Sequence, residues 1–169
     1  CALPISRQAP EAMAVIEAHA EAIGTPLFRC GAEWDAYASH GRLVVQTETR
    51  ALDLPLPALQ GQHQIDNAGL ACATLLLSGA IEIDEAAFAT GIQHAEWPAR
   101  LQPLTRGAFS APIRAVGGEV WVDGGHNAHA AQALSRALEQ MKMRRGGTSV
   151  AIVGLRKRKD ALTFIAAIA

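Results

Sequence analysis

Apolar residues near the start of the chain occur in short runs and then at helical spacing. Runs at Leu3–Ser6 and Pro26–Cys30 predict two strands. Between them, apolar residues every three or four positions predict a helix that starts near Pro10 and ends at Gly24. This strand–helix–strand succession indicates a parallel sheet. Gly31–His40 is predicted to be a loop.

The next stretch changes from extended to helical patterning. Arg42–Thr49 alternates as a strand does, and the proline-marked segment Ala51–Leu59 predicts an extended stretch at a sheet edge. Residues 61–67 open a predicted helix over 68–77, rich in alanine and leucine, and Ser78-Gly79 ends it.

A second short helix precedes a break in the pattern. Asp84 is predicted to cap a helix over 85–93 that turns Phe88 and Ile92 inward. Trp97-Pro98 then favours extended backbone, because the residue before a proline is biased away from helix. We therefore predict a domain boundary at Trp97–Arg100.

After the boundary the alternation of strands and helices restarts. Predicted strands cover Leu101–Leu104, Gly117–Asp123 and Thr148–Gly154. A predicted helix follows Asn127, with Leu134, Leu138 and Met141 on one face, and a last helix is predicted from Lys159. The whole pattern is that of an α/β protein.

Composition and charge indicate a globular protein and exclude several other classes. The chain has 169 residues, of which 50% are hydrophobic and 18% charged, so it is globular. With a net charge of −1 and one basic run, Arg156–Lys159, which is typical of a solvated loop, nucleic acid is not an expected partner. No apolar run approaches the ~20 residues that a membrane-spanning helix needs. Three scattered cysteines without a C-x-x-C pair favour neither a disulfide framework nor a zinc site, and suit a reducing, cytoplasmic setting.

The stretch Glu119–His129 carries the strongest candidate chemistry. A short apolar run ends at Asp123, two glycines follow, and Asn127 can cap the next helix. At the carboxyl end of a strand, Asp123 could bind a ribose hydroxyl, and His126 could bind a phosphate or carboxylate beside the helix start. The alternative is that Asp123 and Asn127 are turn and cap residues and that His126 is a surface loop residue.

Three further features have both a functional and a structural interpretation. Asn67, at a helix start, has an amide that could pair with a polar edge such as that of adenine. Arg100 lies at the predicted domain junction, where a guanidinium could bind phosphate bidentately, or it is simply part of a linker. His126 and His129 have a metal-compatible spacing, but no carboxylate or cysteine nearby completes a site, so no metal site is predicted.

Several motifs occur together in a family-specific order. The chain resembles the folylpolyglutamate synthase/dihydrofolate synthase family of the Mur ligase superfamily through QAPEAMAVIEAHAEAIG (8–24), GQHQIDNA (61–68), EWPARLQ (96–102), VDGGHNAHA (122–130) and VGLRKRKD (153–160). The resemblance implies that residues 1–98 are the end of a central ATPase domain. It implies that residues 99–169 are the first part of a Rossmann-like C-terminal domain.

The resemblance also implies an activity. The family uses ATP and Mg²⁺ to join L-glutamate to dihydropteroate or a folate through an acyl phosphate. By the same resemblance, Asn67 contacts adenine, Arg100 reaches the ATP phosphates, Asp123 holds the ribose, and His126 lies beside the phosphates and the incoming glutamate. His126 and Arg100 are thus the expected catalytic residues. A monomer is expected at full length.

Some features depart from the family pattern. Ala99 stands where the family usually has glycine, and Ala128 where it often has proline. The family's P-loop and Mg²⁺ ligands are expected upstream of Cys1. Because the chain begins with cysteine and its last helical run stops at Ala169 without a cap, we expect a piece of a longer protein that is inactive alone. Alternatives are a peptidoglycan or cyanophycin-type Mur ligase and a non-catalytic nucleotide-binding module.

Overall fold

The computed structural model describes residues 3–156 and 160–168. The residues outside this description are 1, 2, 157–159 and 169. They include most of the basic run and the predicted start of the last helix at Lys159. The chain forms two compact units. One contains the residues up to Ala58 together with His63–Ala95, and the other contains Leu59–Gln62 and the residues from Glu96 onward.

The first unit begins with the predicted strand–helix–strand succession. Strand β1 (Leu3–Ile5) and strand β2 (Leu27–Arg29) pair in parallel and flank helix α1 (Pro10–Ala22). Gly24 follows the helix with a φ of 63°, the left-handed conformation that ends many helices. The predicted β-α-β unit is confirmed.

A three-stranded antiparallel sheet follows, in the order β3 (Trp34–Ser39), β4 (Arg42–Thr47) and β5 (Ala51–Pro55). Of the extended edge segment predicted over Ala51–Leu59, Ala51–Pro55 is confirmed as edge strand β5, whereas residues 56–59 are not strand. The prediction of a loop over Gly31–His40 is wrong, because β3 occupies most of it. His40 and Gly41 have φ values of 50° and 75°, so they form a two-residue turn whose twist matches the paired strands.

Helix α2 (Gln62–Ser78) and helix α3 (Glu85–Gln93) complete the unit. The α2 helix starts at Gln62, inside the stretch expected only to precede it, and ends at Ser78 as predicted. Asp84 caps α3, with its side chain accepting a hydrogen bond from the Ala87 N–H at 2.7 Å. Phe88 and Ile92 are both buried, as predicted.

The core of the first unit lies between the antiparallel sheet and these helices. Its buried residues are Trp34, Ala36, Leu43, Val45, Leu52, Leu54, Ile65, Cys72, Ala73, Phe88 and Ile92. Gly69 of α2 is required where the helix meets the sheet, because a Cβ there would lie 2.2 Å from the Cβ of Ala36. Burial raises the pKa of the Cys72 thiol to about 11, so this cysteine is a neutral core residue.

The second unit has shorter strands. Strands β6 (Gln102–Pro103) and β7 (Trp121–Val122) pair antiparallel, with helix α4 (Ala111–Ala115), which the sequence pattern did not predict, between them in sequence. Helix α5 (Ala128–Arg145) packs against helix α6 (Ala161–Ile168).

Two predictions for this unit need correction. Thr148–Gly154 is not a strand: it makes no strand pairing with the described residues, and Val150 and Ile152 are 86% and 98% exposed. The predicted face of α5 is only half-buried at Leu134, Leu138 and Met141, since Ala131 and Ala137 are its buried residues. No helix among the described residues combines the length and apolar character needed to cross a bilayer. The α/β class is confirmed.

Candidate functional site

The turn after β7 is organised by the carboxylate of Asp123. Its Oδ1 accepts a hydrogen bond from the Gly125 N–H at 2.6 Å, which is the contact an aspartate makes when it closes a turn on its own backbone. Its Oδ2 accepts from the N–H of Leu101 at 2.8 Å. Through these two hydrogen bonds the half-buried carboxylate ties the turn to the backbone at Leu101.

Both glycines of the turn lie close to neighbouring atoms. Gly124 donates its N–H to the Ala99 carbonyl at 2.7 Å, and a Cβ at Gly124 would lie 3.3 Å from that oxygen and 3.9 Å from Nη1 of Arg100. A Cβ at Gly125 would lie 2.8 Å from Oδ1 of Asp123. A side chain at either position would crowd the turn, and the Arg100 guanidinium lies near Gly124.

The segment that carries Arg100 has an unusual backbone. Ala99 and Leu101 have φ values of 56° and 43°, in the left-handed region that residues with side chains rarely adopt. The N–H of Ala99 donates to Oε1 of Gln102 at 2.9 Å, and Leu101 is buried at 3% exposure. Arg100 is thus held, half-buried, between two residues whose conformations are fixed by their surroundings.

His126 is exposed at the end of the same turn. Its Nδ1 lies 2.9 Å from the carbonyl oxygen of Gly124. Because a carbonyl oxygen only accepts, Nδ1 carries the proton in this contact, and Nε2 is the nitrogen presented outward. The ring can therefore offer an acceptor when neutral and a second donor when protonated.

Asn127 begins α5. Its extended backbone and the 2.8 Å hydrogen bond from the Ala130 N–H to its Oδ1 make it the N-cap, so the predicted cap is confirmed. The 18-residue helix carries Lys142, Arg144 and Arg145 in its last turn, which suits the negative end of the helix dipole. Its positive end lies one residue beyond His126.

Asn67 lies in the other unit, on α2. Its Nδ2 donates to Oε1 of the buried Gln64 at 3.1 Å, and Nε2 of Gln64 lies 3.1 Å from Nε2 of His63. The structure thus brings Arg100, Asp123 and His126 together around one turn. Asn67 belongs to a separate group of hydrogen-bonded side chains with Gln64 and His63.

Two participants were missed at the sequence level. Gln102 lies within the EWPARLQ motif, but nothing in its spacing shows that its side chain turns back three residues to Ala99. Gln64 is a buried polar residue between His63 and Asn67, which a helical pattern alone does not reveal. Among residues 3–156 and 160–168, no three His, Cys, Asp or Glu side chains gather as a metal site would need, and His126 and His129 have no third ligand.

Solved structures similar to this chain were found. E. coli FolC in complex with DHPP and ADP is 29% identical, with a TM-score of 0.77, and the match covers 98% of this chain and 36% of that one. Mycobacterium tuberculosis folylpolyglutamate synthase complexed with ADP and AMPPCP is 26% identical, with a TM-score of 0.72 and coverages of 99% and 36%. The bifunctional folylpolyglutamate synthase/dihydrofolate synthase of Yersinia pestis CO92 is 25% identical, with a TM-score of 0.73 and coverages of 98% and 36%.

The extent of these matches limits what they establish. The chain spans about a third of the length of the structures it matches. No protein-family model matches the sequence, and no curated protein matches it significantly. The predicted fold class is confirmed, because the matched region belongs to proteins of Mur-ligase-type architecture. Over nearly its whole length the chain is similar, in structure and in sequence, to one part of a folylpolyglutamate synthase/dihydrofolate synthase, and the resemblance indicated by its motifs is confirmed.

Proposed function

We propose that this chain is part of an ATP-dependent ligase that joins L-glutamate to dihydropteroate or a folate through an acyl phosphate. The observation that carries the proposal is the match over 98% of the chain to FolC, a protein solved with ADP and DHPP. The turn around Asp123 supports it independently, because it gathers a guanidinium, an exposed imidazole and a helix N-terminus within one unit.

Arg100 is the proposed phosphate-binding and catalytic cation. A guanidinium presents paired N–H donors in a plane that matches phosphate oxygens, and it stays charged at all relevant pH values. Its Nη1 lies near Gly124 of the turn. Charge that develops on a transferring phosphoryl group would be stabilised by such a fixed cation.

Asp123 is the proposed ribose-binding residue. Each of its oxygens already accepts one backbone N–H. A carboxylate oxygen has two lone pairs, so each can accept one more hydrogen bond, and a ribose hydroxyl can donate it. In this proposal the same carboxylate shapes the turn and contacts the nucleotide.

His126 is the proposed second catalytic residue. His126 is exposed and directly precedes Asn127, the N-cap of α5, and the N–H groups at a helix start would stabilise a phosphate oxygen or the incoming glutamate carboxylate. Asn67 is proposed to contact adenine, since one amide hydrogen remains besides the one that it donates to Gln64.

The remaining parts of the proposal concern the whole ligase. Following the family resemblance, we assign Mg²⁺ binding to parts of the ligase outside this chain. We place the domain boundary between Pro98 and Ala99. We propose a cytoplasmic, monomeric enzyme whose partners are ATP, glutamate and a pteroate or folate, not nucleic acid or membrane.

The test is ligation by the protein that carries this chain. ATP-dependent incorporation of labelled glutamate is measured with dihydropteroate, with tetrahydrofolate and with a UDP-linked peptidoglycan precursor. Incorporation into either pteridine substrate supports the proposal. Incorporation into the UDP-linked acid alone, or into none of the three, contradicts it. The isolated 169-residue chain should show no ligation.

A variant pair tests the site within the same assay. His126→Ala should lower kcat or raise the glutamate KM by at least about tenfold, with a smaller change in ATP affinity, because the imidazole acts where the second substrate arrives. His129→Ala, one turn along α5, is the matched control and should behave as wild type. Equal effects of the two substitutions would remove His126 from the site.

A further inference from the structure

We propose that Gln102 is a positioning residue for Arg100: it holds the left-handed backbone at Ala99 that sets the guanidinium against the turn. This inference rests on the proposed function, because it assumes that Arg100 binds the nucleotide phosphates. It concerns a residue to which neither the motifs nor the comparisons give a role.

The backbone of Ala99 is held at both of its polar groups. Its N–H donates to Oε1 of Gln102 at 2.9 Å, and its carbonyl accepts from Gly124 at 2.7 Å. The positive φ of 56° is unfavourable for alanine, so these contacts must maintain it. Of the two, only the contact from Gln102 is made by a side chain.

Gln102 is itself well anchored. It is the first residue of β6 and pairs with Val122, which directly precedes Asp123. Its side chain therefore starts from backbone fixed to the strand that carries the turn. On the other side of Arg100, the Leu101 N–H donates to Asp123 at 2.8 Å. Arg100 thus lies between two residues whose backbone N–H groups are both hydrogen-bonded to side chains, so a change at Gln102 reaches the guanidinium through Ala99.

The inference predicts that a second substitution rescues the loss of Gln102. If Gln102 serves to keep Ala99 left-handed, then glycine at position 99, which adopts that conformation without penalty, makes the side chain dispensable. Ala99→Gly should therefore rescue a variant that lacks the acceptor. A residue that only contributed general stability would not be rescued in this way.

The experiment uses ADP as the probe and calorimetric titration of the whole protein that carries this chain, because the family's P-loop is expected outside the 169 residues. The variants are Gln102→Met, which removes the amide acceptor at similar length, Ala99→Gly and the double variant. Gln140→Ala, on the exposed surface of α5, is the control. Loss of one hydrogen bond of about 0.5–1.5 kcal/mol corresponds to roughly 2- to 12-fold in affinity. Gln102→Met should therefore raise the Kd for ADP about threefold to tenfold, and the double variant should return to within about twofold of wild type.

Two outcomes overturn the inference: Gln102→Met binds ADP as the wild type does, or its defect persists in the double variant. If the wild-type protein does not bind ADP, the proposed function fails separately, and melting temperatures then decide the role of Gln102. Gln102→Met should lower Tm by about 2–4 °C in the alanine background and by clearly less in the glycine background. Equal Tm losses in both backgrounds would refute the coupling.

Discussion

Replacing Asp123 with alanine should open the turn after β7. Asp123 accepts two backbone hydrogen bonds, at 2.6 Å from Gly125 and 2.8 Å from Leu101. Hydrogen bonds to a charged group contribute about 1.5–3 kcal/mol each. Since the carboxylate is half-buried and water can solvate part of what is lost, we expect the local opening free energy to fall by about 2–4 kcal/mol rather than by the full sum. Asp123→Asn keeps one acceptor oxygen and should lose roughly half as much.

Amide hydrogen exchange measures this effect at the two donors. Exchange at Leu101 and Gly125 should accelerate by about 30-fold to 800-fold in Asp123→Ala, since about 1.4 kcal/mol corresponds to each factor of ten. Asp53→Ala is the control. It breaks a 2.8 Å ion pair with Arg42 whose aspartate is 64% exposed, and such surface pairs contribute less than about 1 kcal/mol.

The same variant separates the two roles of the carboxylate. If Asp123 both shapes the turn and contacts ribose, ADP affinity falls by at least about tenfold together with the loss of protection. Unchanged exchange at both amides would refute the structural reasoning. Loss of ADP affinity with unchanged exchange would leave Asp123 as a ligand contact only.

Three further expectations follow from the packing and the charges. Gly69→Ala should lower the free energy of unfolding by about 1–3 kcal/mol through overpacking, whereas the matched change Gly91→Ala, with no atom within 4 Å of the added Cβ, should be neutral or raise it by up to about 1 kcal/mol in urea titrations. In the protein that carries this chain, Arg100→Lys should lower kcat more than ATP affinity, because it loses the paired donors, and unchanged kcat would favour a linker role. Hydrogen bonds from the Arg29 side chain and backbone lower the pKa of Glu33 from 4.5 to about 2. The ionised carboxylate therefore stabilises the folded protein above pH 4.5, and this stabilisation is lost as the pH falls towards 2. The melting temperature of Glu33→Gln should decline less over that range than that of the wild type.

Local signals in the sequence predicted those elements whose causes are local. The cap at Asp84, the helix end at Ser78 and the cap at Asn127 follow from side chains acting on backbone within a few residues. Strand β3 was not predicted, although Trp34 and Ala36 alternate with more exposed residues. The turn that joins it to β4 has His40 where asparagine is usual, so the sequence lacks the common hairpin signal.

Elements that depend on distant partners were less predictable. Thr148–Gly154 has the apolar composition of a strand, but a strand exists only where another pairs with it, and none of the described residues does so. In the candidate site, the strand–turn–helix pattern was enough to predict Asp123 as a site residue. Its contact with Leu101, 22 residues away in sequence, and the left-handed backbone around Arg100 come from tertiary structure and have no local signal.

The central claim, that the turn around Asp123 binds a nucleotide, is tested most directly by titrating the ¹⁵N-labelled protein that carries this chain with ADP. We predict that the largest saturable shifts occur at the backbone amides of Gly124, Gly125 and His126 and at the Arg100 side chain, and that Arg100→Ala weakens them. An absence of saturable shifts, or shifts confined to residues far from the turn and unaffected by Arg100→Ala, would contradict the claim.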